Sequence, residues 1–280
     1  MAVRLGAHAE RLSAVRALQT VKGRRQSGRF AFEGATLLRD ACAHDFPIEE
    51  IYATQSAYDA EPLVAELEAS GTPAFIVDPR SAQKISDLET PSGIVAVSSM
   101  KFAPLDTIFG GDGVVLVLAD VNDPGNAGTL LRSAEAFACR GAVAGSLGAD
   151  PYHPKVVRAA VGALFRLPVA VAEPEAVARA AKAAGYEVAG LTARGDPIGR
   201  SPLEGRVALA VGNERHGLGR WEGLLTRRIA IPMAGRAESL NAAVAGSIAL
   251  YEAAEGTVRG EAGGFCQDSV RRVKSQDYPR

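Results

Sequence analysis

The stretch Val114 to Phe137, VVLVLADVNDPGNAGTLLRSAEAF, decides the fold. Val114 to Ala119 form a continuous β-branched and aliphatic run, the pattern of a strand buried on both faces of a parallel sheet. Asp120 to Gly128 is rich in turn formers. From Thr129 the chain reads as a helix, with Leu130, Leu131, Ala134, Phe137 and Ala138 on its buried side and Arg132 leaving its first turn. In an open α/β sheet, ligands bind outside the carboxyl ends of the strands, so Asn126 and Arg132 stand where a site belongs.

The same alternation continues outward. GAVAG (141 to 145), LPVAVA (167 to 172), YEVAGLTARG (186 to 195) and RVALAVG (206 to 212) read as strands, and DPYHPKVVRAAVGALF and EPEAVARAAKAAG supply helices between them. This predicts about six parallel strands. No GxGxxG follows a strand and opens a helix, which disfavours a dinucleotide-binding mode. Upstream, Met100 to Gly113 has one Pro, three Gly and no periodicity, and reads as a linker. Before it, FAFE, IEEIYAT, FIVD and Ile94 to Val97 are strands separated by helical patterns, a second and smaller α/β unit. The expected division is 1–98, linker 99–112, 113–256, and a polar tail 257–280.

The chain has 280 residues, 47% hydrophobic and 22% charged, a composition of a globular protein with room for two modest domains. Its net charge of -1 hides a local bias. Before Phe30, the basic residues Arg4, Arg11, Arg16, Lys22, Arg24, Arg25 and Arg29 face one acid, Glu10. Such a cluster suits phosphate neutralisation, so Arg24, Arg25 and Arg29 are candidate RNA contacts. Cys42, Cys139 and Cys266 are scattered, without CxxC pairing or a nearby His cluster; no metal site and no disulfide framework are expected. Neither a signal peptide pattern nor an apolar run of membrane-spanning length is present, and a cytoplasmic location is expected.

Near the carboxyl end, IAIPMAGRAESLNAAVAGSIALYE (Ile229 to Glu252) packs an apolar strand, a Pro stop, a Gly-containing turn and a helix start with short polar side chains. Ser239 is the expected N-cap, and Leu240, Val244, Ile248 and Tyr251 are the expected buried stripe. Here IPMAG with ESLNAAVA resembles the third signature of the SpoU (TrmH) family of RNA ribose 2'-O-methyltransferases, within the SPOUT superfamily. LADVNDPGNAGTLLRSAEAF resembles the first, and VGNERHGL (Val211 to Leu218) the second. The three stand in family order over about 140 residues.

The resemblance implies an α/β protein with an L30e-like amino-terminal substrate domain and a parallel-sheet methyltransferase domain closed by a deep carboxyl-terminal trefoil knot. It implies S-adenosylmethionine as cofactor, RNA as partner and a homodimer. Carried over residue by residue, Arg132 is the catalytic arginine, and Asn126, Glu214, Ser239 and Asn241 form the polar shell that orients it and the substrate. Thr192, Gly212, Ile231 and Leu240 are the cofactor positions, and Arg158 is an RNA contact. A guanidinium carries no acceptor and stays charged, so positioning a phosphate, or easing loss of the hydroxyl proton by its field, suits Arg132 better than the base role proposed for the family. The leading expectation is methylation of 23S ribosomal RNA. Transfer RNA, a ribosomal RNA enzyme conferring antibiotic resistance, and a silent RNA-binding protein are the alternatives.

Overall fold

The computed structural model describes residues 3–6, 9–200, 203–213, 216–235 and 239–260. Glu214, expected in the polar shell, and the tail from 261 onward, with Cys266, lie outside the described residues.

The amino-terminal half runs β1 (Val3–Arg4), α1 (Glu10–Ala17), α2 (Val21–Ser27), β2 (Arg29–Glu33), α3 (Ala35–Ala43), β3 (Glu50–Thr54), α4 (Gln55–Ala60), α5 (Pro62–Ala69), β4 (Ala74–Val77), α6 (Pro79–Ile85) and β5 (Ile94–Ser99). Its five strands order as β1-β4-β3-β5-β2, with β3 and β4 parallel and β5 antiparallel to both β2 and β3. The basic opening segment is therefore built into helices α1 and α2 that pack on this sheet. The expected linker is not featureless either: it holds α7 (Leu105–Ile108), whose Ile108 is buried together with the following Phe109.

The second half runs β6 (Gly113–Ala119), α8 (Pro124–Ala136), β7 (Gly141–Gly145), α9 (Pro154–Ala160), β8 (Val169–Ala172), α10 (Pro174–Ala183), β9 (Glu187–Pro197), β10 (Arg206–Gly212), β11 (Arg227–Ala230) and α11 (Ala242–Gly260). The six strands form one parallel sheet in the order β11-β9-β10-β6-β7-β8. Residues 114 to 119 of β6 are all buried, as the unbroken apolar run requires of a central parallel strand. Helix α8 starts five residues earlier than Thr129, because Asp123 caps it and Pro124 fits its first position. Ala138 is exposed, at a φ of 54° just past the helix end, and so is not part of the buried side. Gly128 faces α9: a Cβ there would meet Ala159 Cβ at 2.5 Å and the Val156 carbonyl at 2.6 Å, so only glycine lets the two helices approach this closely.

The two halves share one core. Phe30 stacks obliquely on Tyr152 at 4.6 Å, and Phe32 and Phe46 lie 5.1 and 4.9 Å from Phe165. Ion pairs flank this seam: Arg24 with Asp150, Arg166 with Asp40, and Arg158 with Asp87.

Helix α11 reverses two expectations. Its cap is Asn241, whose Oδ1 accepts from the Ala243 and Val244 amides at 2.9 and 3.2 Å, while Ser239 stays in the preceding loop. Its buried side is mostly small: Ala242, Ala243, Ala249 and Ala253 are buried together with Leu250, and Gly246 abuts Leu130 and Val211. Small residues let the helix lie close on α8 and the sheet. That leaves Val244, Ile248 and Tyr251 at 50, 37 and 48% exposure.

Candidate active site

Because all six strands are parallel, their carboxyl ends share one edge. At that edge β9 departs from regular pairing. Gly190 pairs with Arg228 and Asp196 with Ile229, so residues 191–195 bulge out of the ladder. Bulges of this kind re-aim side chains. Thr192, on the bulge, donates its hydroxyl to the Arg194 carbonyl at 2.8 Å. Next to it, β10 ends at Gly212, and Asn213 and Gly217 close a tight loop through mutual backbone hydrogen bonds of 2.8 and 2.9 Å. A Cβ on Gly212 would collide with the Gly217 backbone, which explains why glycine occupies that position.

Between these segments, the end of β11 and the start of α11 lies a cavity of about 200 Å³. Thr192, Gly212, Ile231 and Leu240, the four expected cofactor positions, all line it, with Asn213, Gly217, Met233 and Ser239. Apolar walls edged by backbone amides and carbonyls suit an adenine ring and a short aliphatic chain.

At the side of α11, Asn241 Nδ2 donates to Asn126 Oδ1 at 3.0 Å, joining the first and third signatures across 115 residues of chain. Asp123 accepts from the Asn126 amide at 2.8 Å, and that bond, with Lys155 nearby, holds its carboxyl below the usual range. Arg132 sits six residues along α8, about 9 Å of rise away. It is exposed and engages no hydrogen bond or ion pair among the described residues. Among the described residues of the expected polar shell, Asn126 and Asn241 bond to each other. Beside Arg132, Ser133 and Ser247 hydroxyls meet at 2.7 Å and tie α8 to α11.

The expected RNA contacts divide. Arg24 is corrected: it is fully buried, with Nε and Nη2 on Asp150 Oδ2 at 2.9 and 2.6 Å and Nη1 on the Leu18 carbonyl at 2.8 Å, and cannot reach a ligand. Arg29 is held by Glu49 and Glu50 at 2.7 and 3.0 Å, and Arg158 by Asp87. Arg25 alone of the four is exposed and without a partner among the described residues. His153 caps α9, its Nδ1 accepting from the Lys155 amide at 3.1 Å. Burial, then the charge of Arg24, lowers its pKa and keeps that acceptor neutral.

Sequence reasoning missed one network on the same edge. Asp120, at a φ of 53° just past β6, accepts from Trp221 Nε1 at 2.8 Å and from Arg220 Nε at 2.7 Å. Arg220 also reaches Glu173 and Ser146. Burial opposes the charge on Asp120, but the hydrogen bonds from Arg220 and Trp221 prevail and lower its pKa. The protein's one tryptophan is fully buried here, in the short 3-10 turn Gly219–Leu224. The network fixes the turn that directly follows the Asn213–Gly217 loop. The lone tryptophan was the available signal.

A model described as the SpoU rRNA Methylase family matches residues 113–251, and one for an MRM3-like substrate binding domain matches residues 9–96. The 23S rRNA (guanosine(2553)-2'-O)-methyltransferase RlmP of Bacillus subtilis is 32% identical over 238 residues, spanning 84% of this chain and 92% of that protein. The 23S rRNA (uridine(2479)-2'-O)-methyltransferase of Streptomyces viridochromogenes is 32% identical over 252 residues, 85% of this chain and 86% of that one. Among solved structures, the AdoMet-bound rRNA methyltransferase from Sinorhizobium meliloti superposes with a TM-score of 0.81 at 29% identity, covering 91% of this chain and 98% of its own. The SpoU methyltransferase AviRb from Streptomyces viridochromogenes, in complex with AdoMet, gives 0.80 at 30%, covering 92% and 100%.

Proposed function

Because the chain belongs to the SpoU rRNA Methylase family, we propose that it is an S-adenosylmethionine-dependent enzyme that methylates a ribose 2'-hydroxyl of ribosomal RNA, and that its substrate is 23S RNA, named for both curated relatives. The single observation that carries this reading is the cavity at the carboxyl edge of the sheet. Residues from all three signatures either line it or stand beside it, and its lining fits the cofactor.

When bound, S-adenosylmethionine supplies a methyl carbon activated by a positive sulfonium. Ile231 and Leu240 would wall its adenine, and the Gly212 to Gly217 loop and Thr192 would offer it polar groups. The Asn126–Asn241 pair orients the ribose. Arg132, without a partner among the described residues, meets the nucleotide beside this pair, where its field favours the negative charge that grows on the 2'-oxygen as its proton leaves to water. Alignment of oxygen and methyl supplies the rest of the acceleration.

Residues 1–98 serve as an RNA substrate-binding domain of L30e-like fold, 99–112 as a linker and 113–256 as the methyltransferase domain, with a trefoil knot at its carboxyl end. The enzyme is cytoplasmic, and no helix among the described residues is long and apolar enough to cross a membrane. It works as a homodimer. Val244, Ile248 and Tyr251 form an exposed apolar stripe on α11, and covering it with a second copy would place the partner beside Arg132.

The test is methyl transfer from labelled S-adenosylmethionine to ribosomal and transfer RNA, with Arg132→Ala as the control. Label on the ribose of ribosomal RNA that disappears in the variant is the expected result. Label on transfer RNA alone reassigns the substrate, and no label on either overturns the reading.

A further inference from the structure

We propose that the seam between the two halves holds a second RNA site, in which Phe102 stacks an unpaired base of the substrate and Arg25 takes the adjoining phosphate. The inference rests on the RNA-methylating reading above and adds to it a place on the protein where the strand outside the reacting nucleotide is gripped.

A pocket of about 290 Å³ opens between α2 and the carboxyl ends of β7 and β8. Val21, Met100, Phe102 and Val171 form its apolar lining, and Arg25 stands at its rim. Val21, Phe102 and Val171 are 42, 47 and 44% exposed. An exposed aromatic ring is ordinarily mobile, but this one is fixed. Tyr152 sets its ring at 83° to Phe102 with centroids 5.3 Å apart, and its hydroxyl both donates to the Lys101 carbonyl at 2.6 Å and accepts from the Lys101 amide at 2.9 Å. The Met100 amide bonds to the Gly28 carbonyl and the Ala103 amide to the Val169 carbonyl, each at 2.8 Å. The backbone on both sides of Phe102 is thus pinned, and a preorganised flat ring faces water.

Charge selects the partner. Asp150, the one acid among the residues lining this pocket, is neutralised by Arg24, and Asp120 and Glu173 are neutralised by Arg220. Arg25 and Lys22 are exposed and without partners among the described residues. A rigid aromatic platform beside unneutralised cations is the combination that holds single-stranded nucleic acid, the ring stacking any base and the cation tracking the backbone. Position agrees. This pocket lies at β7 and β8 and the active-site cavity at β9 and β10, on the same edge of one sheet. About three strand spacings, ~14 Å, separate them, a distance bridged by a few nucleotides.

The experiment uses the full chain and unmodified 23S ribosomal RNA transcribed in vitro, measuring RNA affinity by filter binding, methyl transfer, and S-adenosylmethionine affinity by calorimetry. Phe102→Ala weakens RNA binding about 5- to 100-fold, Phe102→Trp retains it, and cofactor affinity stays at the wild-type value in both. Arg25→Ala lowers the slope of log affinity against log salt by about 0.7. Wild-type RNA affinity in Phe102→Ala overturns the proposal, as does a Phe102→Trp protein as weak as Phe102→Ala. In either case wild-type labelling of the RNA leaves the enzyme reading standing. A wild-type protein that puts no label on this RNA removes 23S RNA as the substrate and this proposal with it.

Discussion

Arg24 and Arg132 carry the same guanidinium in the two halves of the molecule. Arg24 is fully buried, and its donors are spent on Asp150 and the Leu18 carbonyl. Arg132 is exposed and has no partner among the described residues. The first cation holds the two halves together, and the second is left unneutralised among the described residues. Counting basic residues in a sequence therefore measures little; what matters is which of them remain unneutralised once the fold has formed. The opening segment, with seven basic residues against one acid before Phe30, looked like the RNA-binding surface, yet Arg11, Arg24 and Arg29 are consumed by Glu50, Asp150 and Glu49.

The comparison is tested hardest by removing each charge. Arg24→Met strands Asp150 at the seam without its counter-charge, and breaking a buried pair in this way costs about 3–5 kcal/mol. Urea unfolding should show this loss, and Arg24→Met combined with Asp150→Leu should recover part of it. Arg132→Ala does the opposite. Its stability stays within about 0.5 kcal/mol of wild type, as for an unpartnered surface residue. Its methyl transfer falls about 10²- to 10³-fold, as when a group aimed at developing charge is removed. A destabilised Arg132→Ala or a fully stable Arg24→Met would reverse the roles.

Asp120 sharpens the contrast at intermediate size, since it is a charge spent inside the active half. Asp120→Asn keeps one acceptor oxygen but removes the charge that faces Arg220 and replaces the second oxygen, which accepts from Arg220 and the Leu147 amide, with a donor; it costs about 1.5–3 kcal/mol at neutral pH, the range for hydrogen bonds to a charged group. Because the folded-state pKa of Asp120 is lowered, its contribution is complete above the ordinary aspartate pKa and is lost as pH falls through the folded value. The gap between wild type and variant should therefore close in acid. S-adenosylmethionine affinity should also drop, because the turn that directly follows the Asn213–Gly217 loop loses its ion pair between Arg220 and Asp120.

How much of this was legible depended on how local the cause was. The buried strand at Val114 to Ala119 and the parallel alternation could be read because a two-sided burial pattern is written residue by residue. The four positions expected to meet the cofactor came from the family resemblance, and they line one cavity. The apolar stripe of α11 was read at the right spacing but turned to the wrong side: periodicity gives a stripe, and nothing in it says that Ala242, Gly246 and Ala249 pack inward while Val244 and Ile248 face out. Ser239 lost the cap to Asn241 by two residues, and both are short polar side chains that can cap a helix. Arg24 was unreadable in principle, because its partner lies 126 residues downstream.

The smallest effect belongs to Arg29, and it separates the two halves of the idea. Its guanidinium is 29% exposed and meets Glu49 and Glu50 at 2.7 and 3.0 Å, but Arg11 also reaches Glu50 at 3.2 Å, and Glu49 is itself a third exposed. Deleting Arg29 leaves Glu50 paired and Glu49 hydrated, so Arg29→Met should cost about 0–1 kcal/mol, far below Arg24→Met. Its charge is already neutralised, so it releases no counterion from RNA. The slope of log affinity against log salt should stay at the wild-type value in Arg29→Met while it falls by about 0.7 in Arg25→Ala, only four residues away. Equal changes in the two slopes would mean that net charge near the RNA, and not the partnering of each arginine, sets the affinity.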